Sequence, residues 1–239
     1  MPATSSSAWP CAAPTPRSPA ELLCLLAAEP ELRAGMPAPA GWLTASEAAR
    51  LRALGSEARR QAFLAGRWLA RRALQGWLGA AELPALDVAD SGACVCIEAG
   101  AHVSISHSAG FVACAAGGVP VGVDLESLAR PRDALALAEA VHSPAQRERL
   151  AALPAEARAL AFLEWWTLKE AWLKARGRGL DFAQMRALDF DETATPGGDV
   201  AVTRAGPLVL ALAAVPALPA GIGGLPGADW RRAQSTPKS

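Results

Sequence analysis

Apolar residues recur along this chain with two different periods. From Glu57 to Leu78 a helical period sets Phe63, Leu64, Trp68 and Leu74 near one face, with Arg60, Arg67 and Arg71 at helical spacing on another. Just upstream, Thr44 to Glu47 has the capping-box pattern, in which a hydroxyl and a carboxylate satisfy backbone donors; it opens a helix over 45–54 that Gly55 and Ser56 interrupt. A second capping box, Ser143 to Gln146 with Pro144 at the first helical position, opens another helix. A long helix over 155–176 follows, stopped by Gly177 and Gly179. Between and after these helices, short apolar runs predict strands over 93–97, 102–105, 111–116 and 119–126, and closing strands over 188–190, 200–203 and 208–213. The order is helix pair, strands, helix pair, strands. That order implies an α+β protein of two similar halves, although no sequence repeat accompanies them.

Composition narrows the picture. At 239 residues, with 51% hydrophobic and 19% charged positions, the chain can bury a sizeable core and is not of the disordered class. Residues 1–20, rich in Pro, Ser, Ala and Thr, are expected to lack order. The apolar run from Leu22 to Ala28 is too short to span a membrane and is flanked by Glu21 and Glu29; the stretch from Gly206 to Gly224 is broken by Pro207, Pro216 and Pro219. Formal net charge is zero, so no overall field favours nucleic acid. Locally, seven arginines and one acid, Glu57, lie between Arg50 and Arg72. Arg59, Arg60 and Arg67 read either as a solvated face or as a phosphate clamp. Five cysteines without a CxxC pair read as reduced thiols of a cytosolic protein.

Candidate chemistry lies in two stretches. In the strand Gly122-Val123-Asp124-Leu125-Glu126, residues two apart share a face, so Asp124 and Glu126 point the same way. Paired carboxylates repel unless a cation or proton lies between them, and hard oxygens suit Mg²⁺; two surface acids on an edge strand are the plain alternative. In Trp165-Trp166-Thr167-Leu168-Lys169-Glu170-Ala171-Trp172-Leu173-Lys174, Glu170 and Lys174 lie four apart on a helix that is apolar almost all round. An exposed salt bridge there would be ordinary; a charged pair on a mostly buried helix calls for a reason. Three carboxylates and a lysine would suit a phosphate-bearing substrate with a divalent metal. Ser106-His107-Ser108, at a strand end before Gly110, reads as a phosphate contact, a Ser–His pair or a polar turn. His102 and His142 read as structural.

These stretches, together with Gly177-Arg178-Gly179-Leu180, Val103-Ser104-Ile105-Ser106-His107-Ser108 and Phe63-Leu64-Ala65-Gly66-Arg67-Trp68-Leu69-Ala70-Arg71, closely resemble the larger, Sfp-type members of the 4′-phosphopantetheinyl transferase superfamily over residues 44–215. The resemblance implies two α+β subdomains related by a pseudo-twofold axis, with coenzyme A between them. It implies an enzyme that moves the phosphopantetheine arm from coenzyme A to a serine of an apo acyl or peptidyl carrier protein, releasing adenosine 3′,5′-bisphosphate. Asp124, Glu126 and Glu170 then match Mg²⁺ ligands, Lys174 a lysine at the coenzyme phosphates, and Ser106 and His107 the Ser-His-Ser motif beside them. Arg60 or Arg67 is expected at a phosphate. Glu170, or a water beside it, is the expected base. Members often carry a Gly-Lys-Pro or similar segment before the Ser-His-Ser strand; here Asp90-Ser91-Gly92-Ala93-Cys94-Val95-Cys96 stands instead, without Lys or Pro, so contacts to the adenine end do not carry over. The expected division is an N-terminal segment over 1–43, subdomains over 44–118 and 119–225, the second holding the metal site, and a tail over 226–239. The expected protein is a cytoplasmic monomer, with neither nucleic acid nor membrane as a partner. A non-catalytic coenzyme- or carrier-binding protein and a Mg²⁺-dependent nucleotide hydrolase are the competing readings.

Overall fold

A computed structural model describes residues 21–193 and 197–237; the expectation of disorder over 1–20, and Cys11, lie outside the described residues. The strands are β1 (Glu21–Ala28), β2 (Leu86–Val88), β3 (Cys94–Cys96), β4 (His102–Ser108), β5 (Phe111–Gly117), β6 (Val121–Ser127), β7 (Leu188–Glu192), β8 (Val200–Ala205), β9 (Leu208–Ala214), β10 (Gly221–Gly223) and β11 (Arg231–Pro237). The helices are α1 (Glu29–Gly35), α2 (Ala45–Ala53), α3 (Glu57–Leu78), α4 (Ala134–Val141), α5 (Pro144–Ala152), α6 (Ala155–Ala175) and α7 (Phe182–Ala187). Both predicted capping boxes are formed, by Thr44 with Glu47 and by Ser143 with Gln146. The long helices fall where the helical period set them. Among the described residues no helix is long and apolar enough to cross a membrane.

The strands form a four-stranded sheet ordered β10-β1-β5-β4, a five-stranded sheet ordered β6-β9-β8-β11-β7, and a small β2–β3 pair. The two large sheets pack face to face: Leu22, Cys24, Ala113 and Ala115 meet Val121, Val123, Leu125, Leu210 and Leu212 in one core. On the outer face of the first sheet, Leu69, Ala73 and Leu74 of α3 cover Leu23, Val112 and Cys114. On the outer face of the second, Phe162, Leu163 and Ala171 of α6 cover Val209, Ala211 and Ala213. The result is four layers, helix–sheet–sheet–helix. Central strands are therefore buried on both faces, and β9 reads Leu-Val-Leu-Ala-Leu-Ala-Ala with every position buried instead of alternating.

Three segments differ from the expected division. The run from Leu22 to Ala28, assigned no element from sequence and placed before the first subdomain, is β1 in the middle of the first sheet, antiparallel to β5 and parallel to β10. β10, expected with the second half, thus completes the sheet of the first. The segment over 226–239, expected as a tail, supplies β11, which pairs with β7 and β8. Its Ser235 donates its backbone N–H and hydroxyl to Asp199 (2.7 and 2.6 Å) and accepts from Trp172 Nε1 of α6 (3.0 Å).

Where the sheets meet, β4 runs along β6 without sharing its ladder. Serine hydroxyls take over that task. Ser104 Oγ accepts from Val123 N (3.0 Å), Ser106 Oγ accepts from Leu125 N (3.2 Å), and Ser108 Oγ donates to Glu126 Oε2 (3.2 Å). Every second residue of β4 faces β6, so Ser104 and Ser106 satisfy edge N–H groups that would otherwise be buried unpaired, while Ser108 holds the Glu126 side chain.

On the other side of β6, α6 comes so close that a Cβ on Gly122 would lie 1.9 Å from Ala171 O and 2.6 Å from Ala175 N. Gly122 is thus the residue that lets strand and helix touch backbone to backbone. Gly122→Ala must force them apart, and because the obstacle is main chain, the cost is expected to be about 3 kcal/mol or more, at the upper end of overpacking effects. Urea unfolding checks this; a variant within 1 kcal/mol of the parent, on the order of a surface change, would contradict so close a contact.

Candidate active site

β6 alternates between two environments. Val121, Val123 and Leu125 enter the core between the sheets, so Gly122, Asp124 and Glu126 face the opposite way. The contact at Gly122 brings the last two turns of α6 against this face. Lys174 Nζ donates to Asp124 Oδ1 (2.7 Å), to Val123 O (3.1 Å) and to Ser106 Oγ (3.3 Å). Ser106 Oγ itself donates to Asp124 Oδ1 (2.9 Å). Asp124 Oδ2 is buried and, among the described residues, has no hydrogen-bond partner. Glu126 accepts from Ser108 Oγ and pairs with Arg132.

Glu170 lies one turn before Lys174, yet no ion pair joins the two among the described residues; the lysine turns to Asp124 instead. Glu170 is left half-buried. Burial, then the negative charge of Asp124, push its carboxyl up to about 7; Lys174 opposes this and Glu126 adds to it. The three acids are therefore coupled by charge. They do not form a ready-made cage: among the described residues no three His, Cys, Asp or Glu side chains are grouped to hold a metal ion.

The residues nevertheless fit a hard divalent cation. Among the described residues Asp124 Oδ2 is a buried carboxylate oxygen without a donor, and the Glu170 carboxyl is pushed up by burial and by the charge of Asp124, which a cation would offset. Mg²⁺ takes one or two carboxylates and keeps water or phosphate for its remaining positions, so a full protein cage is not required.

Beside this cluster opens a cleft of about 580 Å³. One wall is α3 with Phe63, Gly66 and Arg67; another is β4 and the β2–β3 loop; the third is Lys174 with Gly177, Arg178 and Gly179. His107, exposed on β4, lines the cleft, and so does His102, which the sequence reading took as structural. Ser106 does not line the cleft: it is buried, and its hydroxyl serves Asp124, Leu125 and Lys174. Cys94 lines it as a free thiol pushed up to about 12 by burial, too high for a thiolate nucleophile.

The arginines of α3 have a use that the spacing alone did not indicate. Arg71, fully buried, donates to both carboxylate oxygens of Glu47 (3.0 and 2.5 Å), with Trp42 over its guanidinium at 4.9 Å. Arg67 donates to Asp87 O (3.0 Å) and lies 3.9 Å from Glu47 Oε1. Arg60 is away from the cleft and pairs with Glu57. Glu47, 0% exposed, thus caps α2 and also neutralises the basic helix. The only sequence signal was its place in the capping box.

Lys169, beside Glu170 in sequence, points away from the site. It is fully buried and donates to Val141 O and Gln146 Oε1 (both 2.7 Å), with His142 Nδ1 at 3.1 Å. Burial, followed by the charge of Lys169, pushes His142 down to about 3, so its ring is neutral and structural, as read from the sequence.

Comparison with known proteins agrees with this arrangement. Residues 47–117 match the sequence model of the 4′-phosphopantetheinyl transferase N-terminal domain, and residues 120–212 that of the 4′-phosphopantetheinyl transferase superfamily. The 4′-phosphopantetheinyl transferase HetI of Nostoc sp. (strain PCC 7120) is 33% identical over 147 residues, 59% of this chain and 62% of HetI. The 4′-phosphopantetheinyl transferase psf-1 of Bacillus pumilus is 37% identical over 81 residues, and Sfp of Bacillus subtilis (strain 168) is 34% identical over 80. The matched stretch thus spans under two thirds of HetI and about a third of each Bacillus protein (34% and 35%). With the two adjoining family matches covering most of the fold around the cleft, the chain belongs to the Sfp-type group of the 4′-phosphopantetheinyl transferase superfamily.

Proposed function

We propose that this chain transfers 4′-phosphopantetheine from coenzyme A to a serine of an apo acyl or peptidyl carrier protein, with Mg²⁺, releasing adenosine 3′,5′-bisphosphate. The observation that carries the reading is the Asp124–Lys174 contact, with the uncompensated Glu170 beside it, at the wall of a cleft large enough for a nucleotide. Carriers of fatty-acid, polyketide or nonribosomal-peptide synthesis are the partners, and the enzyme acts as a cytoplasmic monomer. We also propose that the two halves are related by a pseudo-twofold axis. α3, with 22 residues, and α6, with 21, each cover the outer face of one sheet.

In this reading Asp124, Glu126 and Glu170 would hold Mg²⁺, which would supply positive charge for the diphosphate. Lys174 lies beside the same diphosphate, held by Asp124, Val123 O and Ser106, and stabilises charge that develops there. Ser106 and Ser108 hold Asp124 and Glu126 in place. The carrier serine attacks the β-phosphorus and the O–P bond to the nucleotide breaks. Glu170, beside the reacting diphosphate, accepts the serine proton, directly or through a water. His107, on the cleft wall, would meet the coenzyme's phosphates.

Two measurements test this. Incubated with coenzyme A, Mg²⁺ and several apo carrier proteins, the enzyme should add about 340 Da to a carrier, the mass of the phosphopantetheine arm. Release of the arm to water without any carrier would favour a hydrolase. Glu170→Gln should abolish transfer while leaving coenzyme A binding measurable, and near-normal turnover would sink the assignment of Glu170.

Glu170 also carries a pH effect with a defined sign. The Glu170 carboxyl is raised from 4.5 to about 7 in the fold, so the folded protein binds more protons than the unfolded chain between those values. In chelator-containing buffer, stability should therefore fall as pH rises from about 4.5 through about 7. Glu170→Gln should lose this component, and Mg²⁺ added above pH 7 should restore stability to the parent but not to the variant. Parallel stability–pH curves for the two proteins would contradict the shift.

A further inference from the structure

Each acid of β6 has a cation of its own, and the two cations are unlike. Lys174, on α6, reaches Asp124 from the cleft wall and is shared with Val123 O and Ser106, while Asp124 Oδ2 stays buried and, among the described residues, unpartnered. Arg132 reaches Glu126 from residues 128–133, which join β6 to α4, and it does not line the cleft. An anion seated in the cleft therefore meets Lys174 and not Arg132.

The chain around Arg132 fixes its place. Leu128 N donates to Pro207 O (2.8 Å) and Ala129 N to Ser127 Oγ (3.2 Å). Asp133, the next residue, caps α4 by accepting from Ala136 N (3.1 Å). Between these anchors Arg132 Nη1 donates to Ser127 O (2.7 Å) and Nη2 donates to Glu126 Oε2. The two side chains are 17% and 22% exposed, so solvent ions screen the pair less than one on the open surface. Ser108 Oγ donates to the same oxygen of Glu126 (3.2 Å). Among the described residues both bonds to this carboxylate thus fall on Oε2, and none on Oε1.

A carboxylate already matched by a guanidinium attracts a second cation less, and an ion beside it is repelled by the guanidinium as well. Resting on the proposed Mg²⁺ site, we infer that Arg132, acting through Glu126, weakens the hold of the free site on a divalent cation. The ion is then held firmly only where phosphate oxygens of the substrate add to the protein's carboxylates. Arg132 touches neither substrate nor reacting atoms; it sets how tightly the metal is kept.

Mn²⁺ titration of the full chain, followed by the electron paramagnetic resonance of unbound Mn²⁺, first alone and then with coenzyme A, tests this without reference to turnover. Arg132→Gln keeps a donor for Ser127 O and removes the charge. Without coenzyme A it should bind Mn²⁺ about ten-fold more tightly than the parent, the low end of what a hydrogen bond to a charged group is worth. Arg132→Lys, which keeps the charge, should stay near the parent. In chelator Arg132→Gln should unfold at a lower temperature than the parent, because the acids lose their counter-charge, and Mn²⁺ should raise its midpoint more than the parent's. Unchanged or weaker Mn²⁺ binding by Arg132→Gln, with the parent's binding intact and lost in Asp124→Asn, overturns the role of Arg132 and leaves the cation site standing. Binding that Asp124→Asn does not reduce, or a parent that holds no Mn²⁺ with or without coenzyme A, overturns both.

Discussion

The approach of α6 to β6 at Gly122 is the contact on which the rest of the site depends. A helix normally keeps a side chain's width from a sheet. Here the backbone of Gly122 meets the Ala171 carbonyl with no room for a methyl group. That closeness lets a lysine on the helix reach a carboxylate on the strand at 2.7 Å, and it sets Glu170 within the field of Asp124 and Glu126. Glycine in Gly122-Val123-Asp124 and alanine in Glu170-Ala171 are thus the steric half of a motif whose other half is charge.

The opposite side of β6 is secured differently. β4 cannot extend the second sheet by a backbone ladder, so Ser104 and Ser106 lend oxygens to the N–H groups of Val123 and Leu125. Ser106 carries two tasks at once, since the hydroxyl that joins the sheets also donates to Asp124. The site is therefore pre-set from two sides of one strand, by α6 over its face and by β4 along its edge. Its excess of negative charge is met in part by Lys174 and Arg132, and among the described residues Asp124 Oδ2 is left without a donor. Such unsettled acids beside a cleft are what phosphate chemistry with a hard cation requires.

How much of this could be read in advance followed the range of the forces involved. α3 and α6 were legible because capping boxes, helical period and terminal glycines are local signals. β1, β10 and β11 were not, because each exists through partners far along the chain: Leu22 lies opposite Ile222, and Gln234 opposite Asp191. β1 also lacks alternation, being buried on both faces. Spacing put Asp124 and Glu126 on one face of β6, as observed, but the expected Glu170–Lys174 pairing is not formed, since a tertiary carboxylate outcompetes the one a turn away. Likewise Glu47 draws in Arg71 from 24 residues away, a link no helical wheel reveals.

The account's central claim is that the acids on β6 and α6 form a cation site facing a nucleotide in the adjoining cleft. Crystals grown with coenzyme A and Mn²⁺ in place of Mg²⁺ address it directly through the anomalous signal of manganese. The account predicts one strong peak in contact with Asp124 Oδ2 and with Glu170, beside a diphosphate that lies next to Lys174. Manganese bound elsewhere, or coenzyme A seated in the cleft with no metal at Asp124, would contradict it.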